Sequence, residues 1–161
     1  MPEATEHQSI ARFRAAWFSA GGTGRVVVMP ESVHTAALAA QALGCEVGAI
    51  ANSLLFASDD GPILILTSGA HRVDTGKVAA NIGVARLRRA SADYVRVHTG
   101  QVIGGVSPLD HPHPVPTYLD RALKQYPEIW AAAGHPAAVF STTYDELRTL
   151  TGAIEVDVTD Q

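Results

Sequence analysis

The 161-residue chain contains a single cysteine, Cys45. No intramolecular disulfide can form, and no metal site can rest on thiolates alone. Charge is sparse as well: 17% of residues are charged and the net formal charge is −4. That balance argues against broad, sequence-blind binding to DNA, which draws on many phosphate contacts. It leaves room for a local basic patch at one end of an RNA. No apolar run approaches the length of a membrane span. The opening "MPEATEHQSIARFR" lacks the apolar stretch of a secretory leader. A soluble cytoplasmic domain without a membrane partner is expected. Repeats, low-complexity tracts and linkers are also missing, so residues 1–161 read as one domain, with 1–24 as an N-terminal helical extension. Two chemical signatures are absent too. "GGTG" at 21–24 and "DTGK" at 74–77 lack the spacing of a phosphate-binding loop. Ser107 is followed by Pro108 rather than by the helix start of a nucleophile elbow.

Apolar residues make up 47% of the chain, enough at this length for a sizeable core. Residues 3–19 place Ile10, Phe13, Ala16 and Trp17 on helical spacing, and "GGTG" ends that helix. "RVVVMP" reads as a buried strand. Ser32 or Thr35 caps a helix over "TAALAAQAL", which Gly44 stops. "EVGAIANSLLFAS" and "PILILTS" form a hairpin around "DDG". Two short helices follow, one opened by Asp74 or Thr75 and stopped by Gly83, the other running from Ser91 to Gly100. "QVIGGVS" and "VPTYLD" read as strands, and "RALKQYPEI" as a turn or short helix. "IWAAAG" and "AAVFST" form a second hairpin around "HP". The helix "TTYDELRTLTG" and the strand "AIEVDV" close the chain. Strands outnumber helices and do not alternate with them, which predicts an α+β fold with a mixed or antiparallel sheet.

Three readings compete for "VIGGVSPLDHPHPVP", residues 102–116. Asp110, His111 and His113 could hold a metal, since a His-x-His pair in extended chain puts both rings on one face. Gly104 and Gly105 could turn backbone N–H groups toward an acyl carbonyl and its oxyanion, because no side chain blocks the approach. The third reading is a plain surface loop. Arg86, Arg88, Arg89 and Arg96 form the one basic concentration, either a solvated face or a rim that meets an RNA terminus.

The succession "HTAALAAQALG", "IANSLLF", "ILILTSGAHRVDTGKVA", "TGQVIGGVSPL", "VPTYLD" and "AAGHPAAVFSTTYDELRTLTGA" resembles the YbaK/EbsC family. These are aminoacyl-tRNA editing domains related to the insertion domain of bacterial prolyl-tRNA synthetases. The resemblance spans roughly residues 25–158, and the Gly-Gly-x-Ser-Pro loop is its most specific element. It implies a compact α+β domain around a mixed, barrel-like sheet. The implied activity is hydrolysis, without metal or organic cofactor, of the ester between a wrong amino acid and the 3′-terminal ribose of tRNA. The expected substrate is tRNA-Pro carrying a small amino acid, with a synthetase as a second partner. By resemblance, Gly104, Gly105, Val106, Ser107 and Pro108 hold the aminoacyl carbonyl, while Asn52 and Ser53 form the opposite wall. His34, Thr35, Arg72 and Lys77 are further substrate-binding candidates. One departure stands out: many members carry a lysine where this chain has Asn52. An amide donates hydrogen bonds but supplies no charge. Either the chain deacylates with a differently placed donor, or it binds the aminoacyl end without hydrolysing it.

Overall fold

Four of the five helices begin at a side-chain cap and end at a glycine, as their sequences dictate. The computed structural model describes residues 6–30 and 35–159. In chain order these contain α1 (Gln8–Ser19), β1 (Val26–Val28), α2 (Ala36–Leu43), β2 (Ile50–Ser58), β3 (Gly61–Ser68), α3 (Thr75–Ile82) and β4 (Arg88–Arg89). Then come α4 (Ala92–Thr99), β5 (Thr117–Asp120), β6 (Ile129–Ala132), β7 (Ala138–Thr142), α5 (Tyr144–Thr151) and β8 (Ile154–Val156). Thr35, Asp74, Ser91 and Thr143 each accept from the third N–H of the helix that follows. Gly44, Gly83, Gly100 and Gly152 each stop a helix in the left-handed region. α1 is capped differently: the His7 ring accepts the Ser9 N–H through Nδ1.

The strands form one mixed sheet in the order β1-β7-β6-β2-β3-β5-β8, with β4 pairing to β2 off that path. The sheet is open, because β1 and β8 are its two ends and do not pair, so the expected barrel-like closure is not found. Side-chain alternation along the strands gives two buried faces. On one, Ala51, Leu55, Leu64, Leu66 and Phe140 meet Ile10, Phe13 and Trp17 of α1, with Val95 of α4 and Leu147 of α5. On the other, α3 packs on Phe56, Ile63 and Ile65, while α2 packs on Ile50, Trp130 and Val139. α1 is built into the core: Trp17 is fully buried against Phe140, and its indole N–H donates to the Thr23 carbonyl.

The structure departs from the sequence expectations at several places. The first helix starts at Gln8, with residues 1–5 outside those described. Val47–Ala49 wind into a 3₁₀ turn, so β2 starts only at Ile50. A second 3₁₀ turn occupies Arg121–Gln125. Residues 101–107 are loop rather than strand. Gly104 lies at φ +88°, the Gly105 N–H turns back to the Val102 carbonyl, and Val102 and Ile103 are exposed. The expected strands at 115–120 and 153–158 shorten to β5 and β8. Conversely, Arg88–Arg89 form a two-residue strand against Ala57 and Phe56 that no local pattern announces.

Candidate active site

The sheet has a fork in it. β2 pairs in parallel with β6 only at Ile50 and Ala51, and with β4 only at Phe56 and Ala57. Between them, residues 52–55 present an edge with no strand partner on that side among the described residues, although β3 pairs the whole of β2 on the other. A cleft of about 60 Å³ opens at this fork. Its walls come from Asn52 and Ser53 of β2, from Trp130, Ala131 and Ala132 around β6, from the N-terminal turn of α2, and from Gly104 and Pro136. The cleft thus brings Asn52, Ser53, Thr35 and Gly104 together from three separate stretches of chain.

Asn52 and Ser53 face opposite sides of the sheet. Asn52 shares its face with Ile50 and is exposed. Ser53 shares its face with Ala51 and Leu55, the side on which Val106 is buried. The Ser53 hydroxyl is shut off from solvent and has no hydrogen-bond partner, the one such buried side-chain atom among the described residues. An orphaned buried hydroxyl costs roughly 1–3 kcal/mol. Ser53 is also one of the residues that line the cleft.

The glycine loop is held from behind. Val106, Ser107 and Pro108 are buried. The Gln101 side chain accepts the Ser107 N–H at 2.7 Å, and the Ser107 hydroxyl donates to the Leu109 carbonyl at 2.8 Å. Ser107 therefore lies off the cleft, with its hydroxyl committed to the loop. The Gly105 N–H is also committed, to Val102. Gly104, whose N–H makes no hydrogen bond among the described residues, is the loop residue that lines the cleft. Gly105 contributes by close approach: a Cβ there would stand 2.6 Å from His135 C and Pro136 N.

The remaining candidates are scattered. Thr35 caps α2 with its hydroxyl oxygen and lines the cleft. His34 and Ser32 lie outside the described residues. Lys77 sits in the first turn of α3, and Arg72 is exposed on the loop after β3; neither lines the cleft. Arg86, Arg88, Arg89 and Arg96 are all exposed. A pattern invisible in sequence emerges here. Arg12, Arg14, Arg121 and Arg148 pair with carboxylates and Arg25 stacks on Trp130. The five arginines between residues 72 and 96 have no such partner among the described residues.

The "DHPHP" segment is stapled rather than assembled. His111 Nε2–H donates to the Ser107 carbonyl at 2.9 Å, Asp110 faces Arg12 at 3.6 Å, and His113 is exposed. No three metal-ligating groups converge among the described residues. Burial pushes the His111 imidazole below its ordinary value of 6.5, against the opposing pull of the Ser107 carbonyl and Asp110. His135 is lowered too, by burial and then by His7. The folded state therefore holds a neutral ring where the unfolded chain takes a proton. Stability is intact above pH 6.5 and falls as acid carries the protein down through the lower folded pKa. His111→Gln keeps an N–H donor for Ser107 and should flatten this decline in thermal melts between about pH 7.5 and 5.5 (about one unit either side of the ordinary His value). An unchanged decline would show that His111 does not carry it.

Residues 30–150 match the family model for the aminoacyl-tRNA editing domain. YwhH of Bacillus subtilis (strain 168), itself uncharacterised, is 33% identical over 117 residues, covering 72% of this chain and 74% of that protein. EbsC of Enterococcus faecalis (strain ATCC 700802 / V583), named as a candidate Cys-tRNA(Pro)/Cys-tRNA(Cys) deacylase, is 28% identical over 121 residues, covering 70% and 74%. The crystal structure of a candidate trans-editing enzyme for prolyl-tRNA synthetase superposes with a TM-score of 0.91 at 44% identity, covering 98% of this chain and 100% of that one. The family model matches most of the chain and the solved structure superposes over nearly all of it: this protein belongs to the aminoacyl-tRNA editing domain family and is an editing hydrolase.

Proposed function

We propose that the protein is a cytoplasmic trans-editing deacylase that clears a small amino acid from mischarged tRNA-Pro, working beside the synthetase that makes the error. The observation that carries this reading is the orphaned Ser53 hydroxyl in a cleft lined by Ala36, Ala39, Ala51, Ala131 and Ala132. So small a space suits a short side chain, and each surplus methylene costs about 1–3 kcal/mol of discrimination. The aminoacyl ester sits in the fork with its carbonyl at the Gly104 N–H. Ser53 hydrogen-bonds the substrate on one wall, and the Asn52 amide donates on the other. An aminoacyl ester is already activated, so a positioned water and donors aimed at the developing oxyanion supply much of what hydrolysis needs. The unpartnered arginines between 72 and 96 are suited to the phosphate backbone of the tRNA.

A panel of mischarged tRNAs, led by tRNA-Pro charged with alanine or cysteine, tests this directly. Deacylation of at least one well above the spontaneous rate is expected, and a blank panel overturns the reading. Asn52→Ala removes a neutral hydrogen bond and should lower kcat/KM by about 3–10-fold, the range of one such bond. An inert wild type that gains strong activity on Asn52→Lys would instead mark the protein as a binding module for the aminoacyl end.

A further inference from the structure

A polar row crosses the apolar sheet beside the cleft. Asn52 on β2 stands opposite Thr67 on β3, and the Thr67 hydroxyl donates to Asp120 at the end of β5 at 3.3 Å. Asp120 is buried, and its two oxygens meet four donors. Oδ2 accepts from the Ser68 N–H at 2.9 Å, from Thr67 and from the His71 ring at 2.9 Å, and Oδ1 accepts from the Ala122 N–H at 3.0 Å. His71 folds back over the end of β3 from the loop that leads to α3. Its Nδ1–H is spent on Asp120, so the carboxylate sets the ring's orientation and tautomer. Nε2 has no partner among the described residues, and the side chain is 19% exposed. Arg72, exposed and unpaired, is the next residue.

We propose that His71 and Arg72 form a ribose–phosphate subsite for an RNA nucleotide upstream of the terminal adenosine, with Nε2 accepting a 2′-hydroxyl and Arg72 facing a phosphate. This rests on the editing reading above and adds a second point of RNA contact. Asp120 lies two strand spacings from Asn52, about 10 Å across the sheet. That is too far for His71 to act on the ester, and it suits a neighbouring nucleotide. A free ring acceptor next in sequence to an exposed arginine suits one ribose–phosphate unit, and an acceptor for the 2′-hydroxyl lets a protein tell RNA from DNA. Asp120 thus holds the ring from the same carboxylate that anchors the end of β3 and caps the turn after β5.

The test uses mischarged tRNAs carrying a single 2′-deoxy substitution at each nucleotide before the terminal adenosine in turn. With wild-type protein, one position should cost about 3–10-fold in kcat/KM, chiefly through KM, as one neutral hydrogen bond does. His71→Asn keeps a donor toward Asp120 where Nδ1 stood but lacks Nε2. It should lose that same factor on all-RNA substrate and nothing further on the deoxy one. His71→Ala should behave likewise, and Arg72→Ala should flatten the salt dependence of KM without altering the deoxy pattern. Failure of wild type to deacylate any tRNA would sink the editing reading. An active wild type whose deoxy sensitivities are unchanged by His71→Asn at every position would sink this proposal alone. So would sensitivity of His71→Asn only to neutralised phosphates.

Discussion

Asp120→Asn should destabilise the protein by about 1.5–3 kcal/mol, the worth of hydrogen bonds to a charged acceptor, despite the near-identical shape of the two side chains. The reason is the count of donors. Three of them, the Ser68 N–H, the Thr67 hydroxyl and the His71 ring N–H, converge on Oδ2. An asparagine that keeps its oxygen toward Ala122 turns an NH₂ group into those three, and the flipped amide abandons Ala122 instead. Either way, buried donors lose their acceptor in a region where water does not reach, since Thr67 and Ser68 are themselves buried. For a chain of this length, the melting temperature should drop by about 3–12 °C, at 2–4 °C per kcal/mol. Urea and thermal melts at neutral pH measure it. A shift of under about 2 °C, less than 1 kcal/mol on that scale, would mean that the four-donor arrangement does not persist in solution. Below both melting temperatures, the variant should also show the raised KM of His71→Asn, because the ring loses its anchor.

The local parts of this structure are legible in the chain, and the site is legible only in fragments. Thr35, Asp74, Ser91 and Thr143 are short polar side chains before helical patterns, with a glycine after each, so those helices declare their own ends. The β2–β3 hairpin declares itself through its turn. By contrast, Val102, Ile103 and Val106 look like strand because they are apolar and β-branched, and only the left-handed Gly104 and the return bond to Val102 prevent pairing. β4 is made of two arginines, and nothing but the free edge of β2 makes it a strand. The fork is a property of which neighbours β2 has, and no window of sequence contains it. For the same reason Asn52, Ser53 and Gly104 can be named from the motif order, yet the reassignment of Ser107 to loop support depends on Gln101 and Leu109 around it. His71 and Asp120, 49 residues apart, have no local signal linking them.

Gly105→Ala should lower kcat/KM by about 100-fold, the scale expected when a site is displaced by roughly 1 Å, with a stability loss of about 1–3 kcal/mol from overpacking. Its backbone does not lie in the left-handed region, so the cost is steric. The new methyl would meet His135 C and Pro136 N at 2.6 Å and Pro136 Cδ at 2.8 Å. That turn cannot retreat. The Ala137 N–H donates to the His135 ring and the Ala138 N–H to the His135 carbonyl, both at 3.0 Å. Behind it, Gly134 lies so close to α1 that a Cβ would stand 2.7 Å from the Ser9 carbonyl oxygen. On the loop's own far side, Val106 and Ser107 are buried and bonded. The displacement must therefore fall on residues 103–105, carrying Gly104 away from Ser53 and Asn52. Gly104→Ala makes the discriminating comparison. It meets nothing within 4 Å, and its cost is the left-handed backbone at φ +88°, about 1–2 kcal/mol. The two variants should thus lose similar stability by different routes, while the clash at 105 moves the wall and the strain at 104 leaves the loop docked. Steady-state deacylation beside thermal melts of both variants separates the effects. A Gly105→Ala protein with wild-type kcat/KM would show that the loop's docking on His135–Pro136 does not set the geometry of the cleft.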